Sequence, residues 1–275
     1  MINSDTRLFG IIGNPVKHSM SPAMHNRAFA ALGLNCVYLP FCTADAEHAV
    51  KGMKALGIEG LSVTIPYKQQ VMAWLDDIEP NAEKIGAVNT IQLKNGRLHG
   101  SNTDWLGASL ALSAQINLHG KTVVILGAGG SARAIGFGLL KQGASVKICS
   151  RTESSGRKLA DLLACRWEPL TAANSAKADI LVNATPVGMA PEDSLMPINS
   201  SSLKNYAAVM DIVYSPLQTR LLQEAEKAGC KTINGLEMLL YQGAAQFELW
   251  TEKPAPIEVM REALLEKTTA IYLDL

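Results

Sequence analysis

Apolar residues recur along this chain in two rhythms, and the rhythms alternate. Short runs dense in aliphatic and β-branched residues stand at 8–13 (LFGIIG), 36–41 (CVYLPF), 60–65 (GLSVTI), 122–126 (TVVIL), 145–150 (SVKICS), 179–185 (DILVNAT) and 209–214 (VMDIVY). A run of that length between turn residues reads as a strand buried on both faces. Between these runs lie longer stretches with helical spacing, such as Ser21 to Leu32, stopped by Gly33, and Ala44 to Leu56, stopped by Gly57. Strands alternating with helices predict an open, mostly parallel α/β sheet.

One segment breaks the alternation. Thr90-Ile91-Gln92-Leu93 alternates, Asn95-Gly96 is a strong turn signal, and Arg97 to His99 returns, so 87–104 reads as a hairpin. Pro66 after the third run predicts a helix to about Leu75, with Lys68 in its first turn. Near the end, Met238, Gln242, Ala245 and Leu249 share one helical face, which sets the Gln242 amide in an apolar stripe. A buried amide needs partners, from the core or from a ligand. Pro254 and Pro256 then bend the chain into a last helix from Ile257 to about Lys267. With no strands to follow, these helices are expected to return to the first domain. The apolar tail from Ala270 to Leu275 would pack on its own chain or on a partner.

The stretch KTVVILGAGGSARAIG (121–136) is the organising one. A strand pattern turns at Gly127-Ala128-Gly129-Gly130 and runs into Ala-rich helix former. Such a turn brings a pyrophosphate onto the amides of a helix start, where a Cβ would block the approach. The preceding strand and following helix make the reading stronger than the glycines alone. About 20 residues on, a 2′-hydroxyl reader would be an Asp or Glu; the chain has Ser150-Arg151-Thr152 there. A guanidinium with two hydroxyls suits a 2′-phosphate, so NADP is expected rather than NAD.

Composition narrows the rest. The 275 residues suit one large or two moderate domains. Lys+Arg and Asp+Glu are both 25, and that balance gives no reason to expect nucleic acid or an anionic membrane as partner. Five scattered cysteines without metal-knuckle spacing read as reduced cytoplasmic thiols, and no metal is expected. The N-terminus carries no signal-peptide pattern, and no window approaches the 18 apolar residues of a membrane span.

Some polar residues fall where chemistry would need them. Ser19 and Ser21 follow the first strand at its carboxyl end, where α/β sheets bind ligands; Ser21 would equally cap the helix that follows, with Pro22 in its first turn. Lys68 is either a solvated lysine or a proton carrier. Asp104 is either the cap of the helix near Trp105 or a carboxylate facing Lys68, and the two roles are compatible.

With these residues in view, the chain resembles the shikimate dehydrogenase family over nearly its whole length. The matching blocks are GNPVKHSMSPAMHN, SVTIPYK, GAVNT, SNTD, GAGGSARA, SRT, NATPVGM, DIVYSP with Thr219, and GLEML with QGA. The resemblance implies two α/β domains separated by a cleft. An N-terminal substrate domain would span 1–103 plus 237–275, and a C-terminal Rossmann dinucleotide-binding domain 104–236. It implies reversible hydride transfer between NADPH and 3-dehydroshikimate, giving shikimate, in aromatic amino-acid biosynthesis. Ser19 and Ser21 would then hold the substrate carboxylate. Ser62, Thr64, Asn89, Asp104 and Gln242 would hold the ring hydroxyls, and Lys68 with Asp104 would be catalytic. Gly127, Ala128, Gly129, Gly130 and Ser131 would cradle the pyrophosphate, and Ser150, Arg151 and Thr152 the 2′-phosphate. Ile212, Tyr214 and Gly235 would border the nicotinamide, Thr185 would also meet the cofactor, and Tyr214 would also meet the substrate.

Two departures bear on specificity: Ser62 stands where the family usually has Asn, and Ser155 where many members carry a second arginine. They keep an NAD-preferring quinate/shikimate dehydrogenase as the rival enzyme; a non-catalytic NADP sensor is the rival outside catalysis. The implied partner is a small molecule, with a homodimer left open, in the cytoplasm.

Overall fold

The computed structural model describes residues 2–273, with side chains up to Thr269. The side chains of the 270–275 tail therefore lie outside the described residues. The chain forms two units: one runs to Thr103 and resumes at Leu240, the other spans Asp104–Leu239.

The first unit runs β1 (Arg7–Gly13), α1 (Ser21–Ala31), β2 (Cys36–Cys42), α2 (Ala46–Leu56), β3 (Ile58–Val63), a 3-10 turn (Gln70–Trp74), β4 (Asp77–Ile78), α3 (Pro80–Ile85), β5 (Thr90–Lys94) and β6 (Arg97–Ser101). Its sheet has the order β2-β1-β3-β5-β6-β4. β1 lies parallel between β2 and β3, while β5 is antiparallel to β3 and to its hairpin partner β6. β1 is apolar and buried from Phe9 to Gly13, as a central parallel strand must be.

Two local expectations are corrected here. No α-helix follows Pro66: residues 65–69 form turns that lead into the 3-10 segment, and Lys68 sits in them. The reason is hydrogen bonding. The Lys68 carbonyl, which a helix would give to Met72, accepts instead from the Val88 amide at 2.7 Å. Ser21 is also not the cap of α1. Met20 holds the cap position, and the Ser21 amide donates to the Ser19 hydroxyl at 3.3 Å.

The second unit runs α4 (Asp104–Ser113), β7 (Thr122–Leu126), α5 (Gly130–Lys141), β8 (Ser145–Ser150), α6 (Glu153–Leu162), β9 (Arg166–Pro169), β10 (Ile180–Asn183), β11 (Ala208–Asp211), α7 (Arg220–Lys227) and β12 (Lys231–Ile233). Its sheet order is β12-β11-β10-β7-β8-β9, and every pair is parallel. β10 and β11 are buried at every position, so both sheet faces are covered. Counting from β7, the strands lie 3-2-1-4-5-6, the doubly wound order whose direction reverses between β7 and β10.

α8 (Gly235–Thr251) carries the chain out of the second unit and α9 (Ile257–Leu273) ends it. The far end of α8 belongs to the first unit: Trp250 Nε1 donates to the Ile91 carbonyl at 3.2 Å, and its indole covers Gly60. α9 packs on α1. Among the described residues, no helix is long and apolar enough to cross a membrane.

Candidate active site

In the first unit the predicted substrate residues gather around the carboxyl ends of β1 and β3 and the start of β5. Thr64 follows β3; its amide donates to the Ile12 carbonyl at 3.0 Å and its methyl fills the space beside Gly13. Ser21 is buried, and its hydroxyl bears on the phenol of Tyr38. Tyr38 in turn donates to Ser62 Oγ at 2.6 Å, and Ser62 donates to Gln246 Oε1 at 2.8 Å. Gln246 Nε2 donates to the Asn89 carbonyl at 3.1 Å and to Thr90 Oγ1 at 2.9 Å. Asn89 Nδ2 donates to Gln242 Oε1 at 3.2 Å and to Thr103 Oγ1 at 3.0 Å.

Ser62, Asn89 and Gln242, far apart in sequence, thus belong to one buried network. His25 stacks on the Tyr38 ring with centroids 4.5 Å apart, and burial holds its pKa down at about 3. The imidazole is therefore a neutral aromatic wall. Ser19 is partly exposed, its hydroxyl accepting from the Ser21 amide, and Lys68 is partly buried.

In the second unit the predicted cofactor residues line the carboxyl ends of the parallel strands. Leu126 and Asn183 are register partners on β7 and β10, so Gly127 and Ala184-Thr185 leave the sheet side by side where the strand order reverses. Gly127 has φ +107°, and a Cβ on it would stand 3.0 Å from the Ala184 carbonyl oxygen. Only glycine is at ease there. Gly129 faces open space, and α5 begins at Gly130 with no side-chain cap and no acid in its first turn. Its first amides are therefore left for an anion.

Arg133, one turn in, has a buried Nε with no hydrogen-bond partner and no ion pair among the described residues. An unpaired, buried guanidinium Nε one turn from uncapped amides fits a pyrophosphate, as does the room at Gly129. At the end of β8, Arg151 and Thr152 are exposed, and Thr152 holds the N-cap position of α6 without a side-chain bond to its amides. Ser150 behaves differently: its buried hydroxyl donates to the Thr152 carbonyl at 3.0 Å and accepts from Trp167 Nε1 at 2.9 Å. It shapes the turn that presents its two neighbours.

The β10 and β11 ends are tied together. Asn183 Nδ2 donates to Asp211 Oδ1 at 2.9 Å, Thr219 Oγ1 to Asp211 Oδ2 at 2.8 Å, and the Val213 amide to Asp211 Oδ1 at 3.0 Å. Asn183 Oδ1 accepts from Thr185 Oγ1 at 2.7 Å, which fixes the turn after β10. Ile212 is held by its amide to the Asn183 carbonyl at 3.1 Å. Gly235 presses against the Ile212 and Val213 carbonyls. Tyr214 follows, partly buried, and Asp104 is the buried first residue of α4.

Burial pushes the Asp211 carboxyl up to about 6, against the three hydrogen bonds that pull it down. A raised folded-state pKa means the fold binds this proton more tightly than the unfolded chain does. Its contribution to stability is full below the ordinary value of 3.8 and is lost as pH rises through about 6. Melting wild type and Asp211→Asn across that window checks this: the wild-type advantage should shrink as pH rises. A constant difference would contradict it.

Family models match along this geometry: "Shikimate dehydrogenase substrate binding domain" over residues 11–91, "NADP oxidoreductase coenzyme F420-dependent" over 122–211, and "Shikimate 5'-dehydrogenase C-terminal domain" over 235–265. The shikimate dehydrogenase (NADP(+)) of Methanocaldococcus jannaschii is 44% identical, over 98% of this chain and 100% of its own length. The chain belongs to the shikimate dehydrogenase family. Solved family structures superpose closely. A shikimate dehydrogenase in complex with NADP+ gives a TM-score of 0.90 at 42% identity, covering 98% of each chain. The Thermus thermophilus enzyme in complex with NADP(H) and shikimate gives 0.88 at 39% identity, covering 95% of this chain and 99% of its own.

Several residues that organise these family features carry no obvious motif. Gln246 stands one helical turn after Gln242, so a second amide at i+4 was the available signal. Arg133 lies inside the glycine-turn block, and Asp211 at the end of an apolar run.

Proposed function

We infer that this chain is an NADP-dependent shikimate dehydrogenase, interconverting 3-dehydroshikimate and shikimate in aromatic amino-acid biosynthesis. The observation that carries the inference is the pairing, in one chain, of the six-stranded parallel sheet and its glycine turn with a family substrate unit in which Ser62, Asn89 and Gln242, three of the predicted ring-binding residues, share one buried network. NADPH, when bound, supplies the hydride. The glycine turn and the first amides of α5 would hold its pyrophosphate, with Arg133 beside them, and Arg151 with Thr152 its 2′-phosphate.

The chain's own groups do the remaining work. Ser19 and Ser21 take the substrate carboxylate. Asn89 and Gln242 hold ring hydroxyls, with Thr64 and Ser62 on the same side. As hydride reaches the C3 carbonyl its oxygen gains charge, and Lys68 gives that oxygen a proton. Asp104 orients the lysine and the reacting hydroxyl. In the reverse direction Lys68 takes the proton back. Five unpaired cysteines suit the reducing cytoplasm as its place of work.

Shikimate-dependent reduction of NADP tests the reading, with quinate and NAD run alongside. The expected order of kcat/KM puts shikimate with NADP first. Quinate with NAD ahead would transfer the site to the rival substrate and cofactor. Within this reading Arg151→Ala should raise the KM for NADP by about 10–100-fold, the worth of one charge-assisted phosphate contact. The KM for NAD should not move. Equal shifts for both cofactors would remove Arg151 from the 2′-phosphate.

A further inference from the structure

We propose that Gln246 is a positioning residue that sets the hydrogen-bond polarity of the substrate site, leaving Ser62 able only to accept and, through Thr90, bracing the Asn89 side chain in the orientation the Thr103 amide fixes. This rests on the reading above that Ser62, Asn89 and Gln242 face the substrate.

The order of protons in the network is forced by two backbone groups. The Asn89 carbonyl can only accept, so Gln246 must aim its Nε2 there, at 3.1 Å. Its Oε1 then points at Ser62, 2.8 Å away, and an amide oxygen can only accept. Ser62 must therefore spend its one proton on Gln246. The Tyr38 hydroxyl, 2.6 Å from Ser62, must spend its own on Ser62.

At the other end the Thr103 amide can only donate, and it lies 2.7 Å from Asn89 Oδ1. That fixes the Asn89 side chain with its Nδ2 toward Thr103 Oγ1 and Gln242 Oε1. Thr90 closes the circuit: it accepts from Gln246 at 2.9 Å and donates to Asn89 Oδ1 at 2.8 Å. Tyr38, Ser62, Asn89, Thr90, Thr103 and Gln246 are each 5% exposed or less, so water does not offer an alternative pattern.

The consequence is chemical. An asparagine at position 62 could offer a substrate two N–H donors. Ser62 can offer one lone pair, because Gln246 holds its proton. The group it meets must then be a hydroxyl that donates, while the Asn89 side chain is held with its two N–H groups toward Thr103 and Gln242. Gln246 thus ties together two substrate contacts through atoms that touch no substrate.

Steady-state kinetics of Gln246→Leu and Gln246→Glu test this, with the Kd for NADP measured by fluorescence as a control on the other unit. Gln246→Leu frees the Ser62 proton and leaves the Asn89 carbonyl with the Val63 amide, at 2.8 Å, as its one remaining donor. It should raise the KM for shikimate at least tenfold, with kcat falling less and the Kd for NADP unchanged.

Gln246→Glu keeps the shape and gives the sharper readout. Protonated, its hydroxyl can donate to the Asn89 carbonyl while its other oxygen accepts from Ser62. Ionised, it cannot donate. The ratio of its shikimate KM to that of wild type should be near one at low pH and rise about tenfold as the pH is raised. A folded Gln246→Leu with KM within twofold of wild type would overturn the proposal, as would a pH-independent ratio for Gln246→Glu. A wild type that binds NADP but turns over no shikimate would instead sink the functional reading.

Discussion

Lys68→Ala should lose about 10²–10⁴-fold in kcat, the range general acid–base help supplies. The KM for shikimate should change little, because carboxylate and ring hydroxyls are held by other side chains. The split matters: an interaction made only as charge develops on the carbonyl oxygen lowers kcat and kcat/KM together. The local structure keeps the variant interpretable. The Lys68 backbone is anchored by the Val88 amide on its carbonyl, and that bond does not depend on the side chain. Its neighbour Tyr67 is buried and donates its hydroxyl to the Thr43 carbonyl at 2.7 Å. The turn should therefore keep its shape when the amine goes. A Lys68→Ala enzyme with near-wild-type turnover would take the lysine out of the reaction.

Gly235→Ala should be the most damaging small substitution in the second unit. A Cβ there would run into the Ile212 carbonyl and sit 2.8 Å from the Val213 carbonyl oxygen. Both obstacles are backbone, so no side chain can swing aside. α8 would have to lift from the loop after β11, and Ile212 and Tyr214 lie on that loop. Overpacking of this kind costs about 1–3 kcal/mol. Urea unfolding should show that loss, and NADP binding should weaken with it, since Ile212 and Gly235 are proposed to border the nicotinamide. Stability and NADP affinity both equal to wild type would mean that the loop has slack the carbonyl positions do not suggest.

How much of this was open to reading in the residues depends on which force fixes each part. The glycine turn was legible because its constraint is local: a strand, a positive φ at Gly127 and a helix start leave their signs within a dozen residues. The parallel strands were legible for a related reason, since burial on both faces demands unbroken apolar runs. β4, with Asp77 as half of its length, and β9, which reads RWEP, carry no such run and no sign of a strand.

Lys68 shows the opposite case. Pro66 signals a helix start, yet the Val88 amide, 20 positions further on, takes the carbonyl the helix would have used. Ser21 fails as a cap because it already lies inside the helix and its hydroxyl turns to the Tyr38 phenol. The polar network is hidden more deeply. Tyr38, Ser62 and Gln246 come from three elements and Asn89 from the loop before β5, and only the folded sheet makes their hydrogen bonds visible. Leu249 shows how far a small error of helical phase carries. The spacing puts Ala245 and Leu249 on the apolar stripe of α8, but Leu249 is 43% exposed and the buried positions fall one place on, at Gln246 and Trp250.

The most direct measurement mixes purified protein with shikimate and NADP and follows NADPH absorbance, against a control without shikimate. NADPH should accumulate only when both are present, and added 3-dehydroshikimate should drive the reaction back. No shikimate-dependent NADPH, from a protein that is folded and binds NADP, would contradict the account at its root.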